Sequence, residues 1–226
     1  MYHNNINNIM IGLRIIILFL FLIFVDNFPY LTKYKDDTKF NFYRSLMCIF
    51  FSFYSLENTI NFGYEGISDM FNFNNFEITD ISEWFIAYLA LDLGKMIYMK
   101  NTRWDLYIHH MWCLAAFALS YYNGKFTFIH SFVLINEAIS IVSGIDSMHL
   151  EDNTAQSLED SKECKRFRKN IIRYLRIPIW LITLGISYYH RKDIPFYMQL
   201  IIGTTAPLLI GMDLYWQKKC DKVIKE

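Results

Sequence analysis

Charge and apolarity are kept apart along this chain, and that separation constrains its fold more than any other feature. Two stretches, 106–124 and 194–212, contain no Lys, Arg, Asp or Glu. Five more, at about 9–25, 43–60, 81–99, 126–144 and 174–190, carry one to three charges each, inside or at an edge. Each is near the ~20 residues that a helix needs to cross a bilayer. Within lipid a chain must satisfy its own backbone hydrogen bonds, which leaves helices or a closed barrel, and runs this long favour helices. The expected fold class is therefore all-α transmembrane with seven helices. The third stretch is the most polar of them, interrupted by Glu83, Asp92 and Lys95. Asp92 and Lys95 are three residues apart, so they share a helix face and could neutralise one another.

The loops test that count. With seven spans, one side of the membrane receives Lys33, Lys35, Lys39, Lys100, Arg103, Lys162, Lys165, Arg166, Arg168, Lys169, Lys218, Lys219, Lys222 and Lys225, fourteen basic residues in all. The other side receives three, Lys125, Arg191 and Lys192. A soluble helical bundle predicts no such alternation. The positive-inside rule puts the C-terminus in the cytosol and the N-terminus on the opposite side. The residues before Ile9 are Asn-rich and lack a basic n-region, and the first apolar run is followed by Asp26-Asn27-Phe28-Pro29, so the first helix reads as retained. Segments 1–39 (first helix and basic loop), 40–217 (a six-helix membrane domain) and 218–226 (a basic tail) are the expected organisation. The stretch 145–170, with Glu151-Asp152 and Glu159-Asp160 ahead of Lys165-Arg166, reads as a polar and partly disordered loop. Net charge is zero, which gives no bulk attraction to nucleic acid. The four cysteines fall in spans or cytosolic segments, so no disulfide framework is expected.

Polar groups inside a bilayer are costly and often functional. On the expected topology they share one depth, near the cytosolic side: Asp92 in span three, His109 and His110 in span four, Asn136, Glu137 and Ser140 in span five, and Asp213 at the end of span seven. Adjacent histidines on a helix point ~100° apart, so both can line a wide cavity. A histidine with a carboxylate neighbour can shuttle a proton near neutral pH. The bland alternative is a polar network that ties helices together. No HxxHH, HxxxH, CxxC, GxxxxGK or GxGxxG pattern is present, so neither a metal nor a nucleotide cofactor is expected.

The stretch 92–144 resembles the TLC-domain family, which includes ceramide synthases, a translocating-chain-associated membrane protein and lipid-homeostasis proteins. Trp104-Asp105-Leu106-Tyr107-Ile108-His109-His110 is similar to the ceramide synthase approach to its double histidine. Ser120-Tyr121-Tyr122-Asn123 matches the Ser-Tyr-x-Asn that follows, and Asp92 resembles an acidic residue of the preceding helix. The likeness then breaks. Where ceramide synthases have His-Asp-x-x-Asp, this chain has Asn136-Glu137-Ala138-Ile139-Ser140, closer to the non-ceramide-synthase members. An Arg-x-Gly between the motifs is replaced within Gly124-Lys125-Phe126-Thr127-Phe128. The resemblance implies a six-helix bundle over about 40–217, around a lipid-sized cavity in an endoplasmic reticulum membrane protein of lipid metabolism. It also implies acyl transfer from acyl-CoA to a sphingoid-base or similar amine through His109 and His110, with Asp92 or Glu137 orienting an imidazole and Asn136 bonding the carbonyl oxygen. The non-catalytic members of the family imply the alternative, a lipid-binding regulator of membrane composition or of membrane-protein biogenesis.

Overall fold

A computed structural model describes residues 2–69, 73 and 75–225, with side chains placed from Ile9 onward. The described residues are helical and include no strand. In chain order the helices are α1 (Tyr2–Asp26), α2 (Asp36–Ser68), α3 (Phe76–Tyr98), α4 (Trp104–Asn123), α5 (Thr127–Leu134), α6 (Ser143–Asp152), α7 (Ala155–Ile171), α8 (Ile177–Tyr189) and α9 (Phe196–Lys225). A 3-10 stretch, Ile135–Ser140, lies between α5 and α6, and a π stretch, Ile172–Arg176, joins α7 to α8.

Local chemistry sets the ends. Asn75 caps α3 by accepting the Glu77 amide at 2.8 Å. Gly124, at φ +60°, closes α4 in the left-handed conformation that glycine adopts without steric cost. Asp36 and Asp37 occupy the first turn of α2, where the helix dipole favours negative charge. Pro178 lacks an amide hydrogen, and the ladder loosens into the π stretch just ahead of it.

Two corrections follow. The stretch 145–170 is not a disordered loop: α6 runs to Asp152, and α7 starts at Ala155 behind a reciprocal Thr154–Ser157 capping box. Asp146, which is buried, takes ion pairs from Lys165 and Arg168 and a hydrogen bond from Ser161 at 2.7 Å. Acid and base thus alternate within one packed helix pair instead of repelling into solvent. The fifth stretch, 126–144, is not one helix either. Arg176 Nη1 donates to the Asn136 carbonyl at 2.5 Å, and Ser45 Oγ donates to the Ser140 carbonyl at 3.0 Å. Side chains inserted this way draw carbonyls out of an α-helical ladder.

By packing, the chain divides into two units that cut across α1, α2 and α5. One comprises residues 1–23 and 54–132, the other 24–53 and 133–226. In the first, α3 and α4 pack side by side. Phe85 lies 4.7 Å from Phe117, which stacks on His130 at 4.2 Å. In the second, α7, α8 and α9 pack together and α6 lies against α7. Gly144 admits the α2 backbone there, since a Cβ would strike Phe42 Cα.

Ile9–Asp26, Thr127–Asp152, Ala155–Tyr189 and Phe196–Lys225 are each long and apolar enough to cross a membrane. Outside Thr127–Asp152, half of which is buried, these segments are mostly uncovered: in α1, Ile9, Leu13, Ile16, Ile17, Leu20, Ile23 and Phe24 are all exposed. A continuous apolar surface of that extent is unfavourable in water and suits hydrocarbon. The chain is thus compatible with an integral membrane protein. Helix α4, free of Lys, Arg and Glu from residue 106, is not among those four, because paired histidines, tyrosines and Asn123 offset its apolar residues.

Candidate functional site

In the first unit, α3 and α4 carry Asp92, His109 and His110 on facing turns. All three are buried, Asp92 completely. His110 Nδ1 lies 2.7 Å from Asp92 Oδ2. The contact is a close polar approach that does not meet hydrogen-bond geometry. The His109 ring is tilted 54° to that of His110, with centroids 5.3 Å apart. Its Nδ1 is 3.8 Å from the Cys113 sulfur, one turn along α4. Lys95, the partner that spacing suggested for Asp92, has its ammonium 5.9 Å from the Tyr98 ring. With Nδ1 of His110 turned to a carboxylate, Nε2 points away from that acid, where it could serve as a base or nucleophile.

The remaining motif residues fill structural roles near the helix ends. Arg103 grips Asp105 through Nε at 2.8 Å and Nη2 at 2.6 Å, a fork at the α4 N-terminus where the dipole also favours the acid. Trp104 is exposed beside it. Ser120 Oγ donates to the Lys125 carbonyl, tying the α4 C-terminus. Asn123 Nδ2 donates to the Leu119 carbonyl at 2.6 Å. Tyr121 donates to Glu83 Oε1 on α3 at 2.5 Å.

In the second unit, Asn136, Glu137 and Ser140 occupy the 3-10 stretch. Asn136 is buried, its carbonyl is held by Arg176, and neither side-chain polar atom has a partner among the described residues. Glu137 Oε2 lies 3.5 Å from the Cys48 sulfur, and Ser140 contributes its carbonyl to Ser45. Asp213 accepts Arg176 Nε at 2.7 Å and Trp180 Nε1 at 3.1 Å. Of the residues expected at one depth, Asp92, His109 and His110 belong to one unit and Asn136, Glu137, Ser140 and Asp213 to the other.

Two buried arginines, Arg14 and Arg176, were not among the residues that the motifs selected. Arg14 is buried in α1 and reaches Asp80 at 2.8 Å and Glu83 at 2.6 Å. Arg176 is the largest fully buried side chain among the described residues. The signal was present, since each charge interrupts an apolar run, and an intramembrane arginine calls for a partner. The partners are distant in sequence, which is why spacing did not reveal them.

No protein-family description matches the chain, and neither the curated proteins nor the solved structures include a significant match.

Proposed function

We propose that this chain is a polytopic membrane protein of lipid metabolism, with seven spans, its N-terminus non-cytosolic and its C-terminus cytosolic. The last six helices would form a TLC-type bundle in the endoplasmic reticulum. At His109 and His110 it would transfer an acyl chain from acyl-CoA to a sphingoid-base or similar amine. The observation that carries this reading is the buried 2.7 Å contact between His110 and Asp92, set beside His109. A histidine set against a buried acid is an arrangement that general-base and nucleophilic catalysis use.

The chemistry is an acyl substitution. The amine nitrogen bonds the thioester carbonyl carbon and the carbon–sulfur bond breaks; an imidazole takes the proton lost by the amine and passes it to the departing sulfur, so that coenzyme A leaves as thiol. If one histidine instead accepts the acyl group first, the amine displaces it in a second step. Purified protein given acyl-CoA and a long-chain amine is expected to form the amide. The rate should fall by ~10² or more in His110→Ala, the usual contribution of a positioned base. An unchanged rate in the His109→Ala, His110→Ala double variant would end this mechanism.

One observation favours a non-catalytic lipid-binding reading. The residues standing where ceramide synthases have a second acidic motif, Asn136 and Ser140, spend their carbonyls on Arg176 and Ser45, holding helices. That reading expects co-purified lipid and no turnover, and an acyl–histidine adduct seen by mass spectrometry counts against it.

A further inference from the structure

The second unit holds a surplus of positive charge where α7–α8 and α9 lie side by side. Residues 167–176 and 214–222 contain three arginines and four lysines against one acid, Asp221. Asp221 takes Lys169 at 2.5 Å. Two acids from outside these stretches take two of the arginines: Asp146 lies 3.8 Å from Arg168, and Asp213 lies 2.7 Å from Arg176. Seven positive charges against three negative ones leave four in excess. The other four cations, Arg173, Lys218, Lys219 and Lys222, are all exposed. Further along α7, Glu159 and Glu163 pair with Lys162 and Arg166 of their own helix.

Two features say what this surface meets. The first is level. Lys169 contacts Asp221 and Arg176 contacts Asp213, so numbers rise on one helix as they fall on the other, and the two run antiparallel. Arg173 and Lys218 therefore share a level between those contacts, ~4–8 Å beyond the sealed Arg176–Asp213 pair at 1.5 Å per residue. The second is continuity. One face of α9, Leu209, Asp213, Trp216 and Cys220, is buried. The opposite face is exposed and runs through Leu200, Thr204, Pro207, Gly211 and Leu214 at spacings of three and four, then through Lys218 and Lys222. A surface suited to hydrocarbon thus turns basic within one helical turn. Exposed tyrosines mark the change: the Lys219 ammonium is 4.4 Å from the Tyr215 ring, and the Arg173 guanidinium is 5.5 Å from the Tyr174 ring. Tyrosine with Lys and Arg at the end of an apolar run is the composition of the boundary between hydrocarbon and headgroups. Lysine and arginine offer donors and no acceptor, which complements the phosphate oxygens of a lipid with net negative charge. A cluster of at least four such cations beside a spanning helix attracts anionic headgroups.

We propose that Arg173, Lys218, Lys219 and Lys222 form a docking surface that selects anionic phospholipids from the surrounding bilayer through their headgroups. This rests on the membrane-crossing part of the function proposed above and not on acyl transfer.

Full-length protein is reconstituted in bilayers of equal phosphatidylcholine and phosphatidylserine and taken up in mild detergent, and the lipid that stays bound is counted by native mass spectrometry. Phosphatidylserine should be enriched about threefold or more over phosphatidylcholine. The enrichment should fall towards parity in about 1 M sodium chloride, which screens exposed charges. Arg173→Gln, Lys218→Gln and Lys219→Gln together should abolish it, whereas Lys218→Arg with Lys219→Arg should keep it. Removing three cations elsewhere in the unit, by Lys33→Gln, Lys162→Gln and Arg166→Gln, should leave most of it. Should the first triple variant fail to fold, the salt dependence of the unmodified protein decides. No enrichment in the membrane-inserted protein, enrichment indifferent to salt, or equal loss in the two triple variants would overturn the proposal. Protein that stays soluble without detergent would instead remove the membrane reading itself. Enrichment kept in His110→Ala while acyl transfer is lost would separate this surface from the histidines.

Discussion

Two buried arginines divide the polar chemistry of this protein, and they do so in opposite ways. Arg176 meets a single carboxylate, Asp213, at 2.7 Å, with side chains 1% and 0% exposed. Its other contacts are the Asn136 carbonyl at 2.5 Å and the Trp216 ring at 5.7 Å. Charge is balanced there, and water is excluded. Arg14 meets two carboxylates beside an open cavity, and the Trp84 ring lies 4.9 Å from it. Charge is unbalanced there, and one acid is partly accessible. A balanced, sealed pair can only hold helices together. An unbalanced cluster beside a cavity leaves one acid within reach of solvent.

The sharpest way to break this contrast is to remove each guanidinium. Arg176→Met leaves Asp213 buried without a counter-ion and frees the Asn136 carbonyl, so it should cost ~3–5 kcal/mol, the usual price of half a buried pair. Thermal unfolding of the detergent-solubilised protein reads this as a large fall in Tm. Adding Asp213→Leu should recover most of the loss, because an apolar pair replaces an ionic one of similar volume. If the double variant is no better than the single one, Arg176 is held by something other than its charge balance.

Arg14→Met should cost less, about 2 kcal/mol, since Asp80 is partly exposed and can be solvated through the cavity. Adding Glu83→Gln should recover part of it, since Tyr121 can still donate to the amide oxygen. An Arg14 variant as damaging as the Arg176 variant would remove the distinction between the two sites.

Much of the fold was legible because apolar run length is a one-dimensional property. Seven apolar stretches were expected, and the described helices, with α5–α6 and α7–α8 each joined through their irregular turns, run through all of them. What escaped the sequence depended on contacts between distant residues. The 3-10 stretch at Ile135–Ser140 has no Pro or Gly to announce it, and it exists because Arg176 and Ser45 reach in from other helices. The helical state of 155–171 rests on Thr154, on Ser157 and on Asp146 being neutralised across α6 and α7. The pairing of His110 with an acid was anticipated from resemblance and depth. The Arg14 cluster was not, because Arg14 and Asp80 are 66 residues apart.

A smaller effect separates the two ends of α4 itself. Tyr121→Phe removes one donor from Glu83, a buried acid that keeps Arg14 on its other oxygen. Hydrogen bonds to charged groups contribute ~1.5–3 kcal/mol, and the lower end is expected because the ion pair remains. At the opposite end, Arg103→Ala removes the fork on Asp105. That arginine is 45% exposed, so solvent screens the pair, and the α4 dipole continues to stabilise the acid. Its loss should be below ~1 kcal/mol and should shrink further in high salt, whereas the Tyr121 loss should be insensitive to salt. Unfolding midpoints of the two variants, measured with and without added sodium chloride, give both numbers. A salt-insensitive Arg103 effect larger than that of Tyr121 would mean that the fork on Asp105 is shielded from solvent despite the exposure of Arg103, and that the α4 dipole does not hold the acid without it.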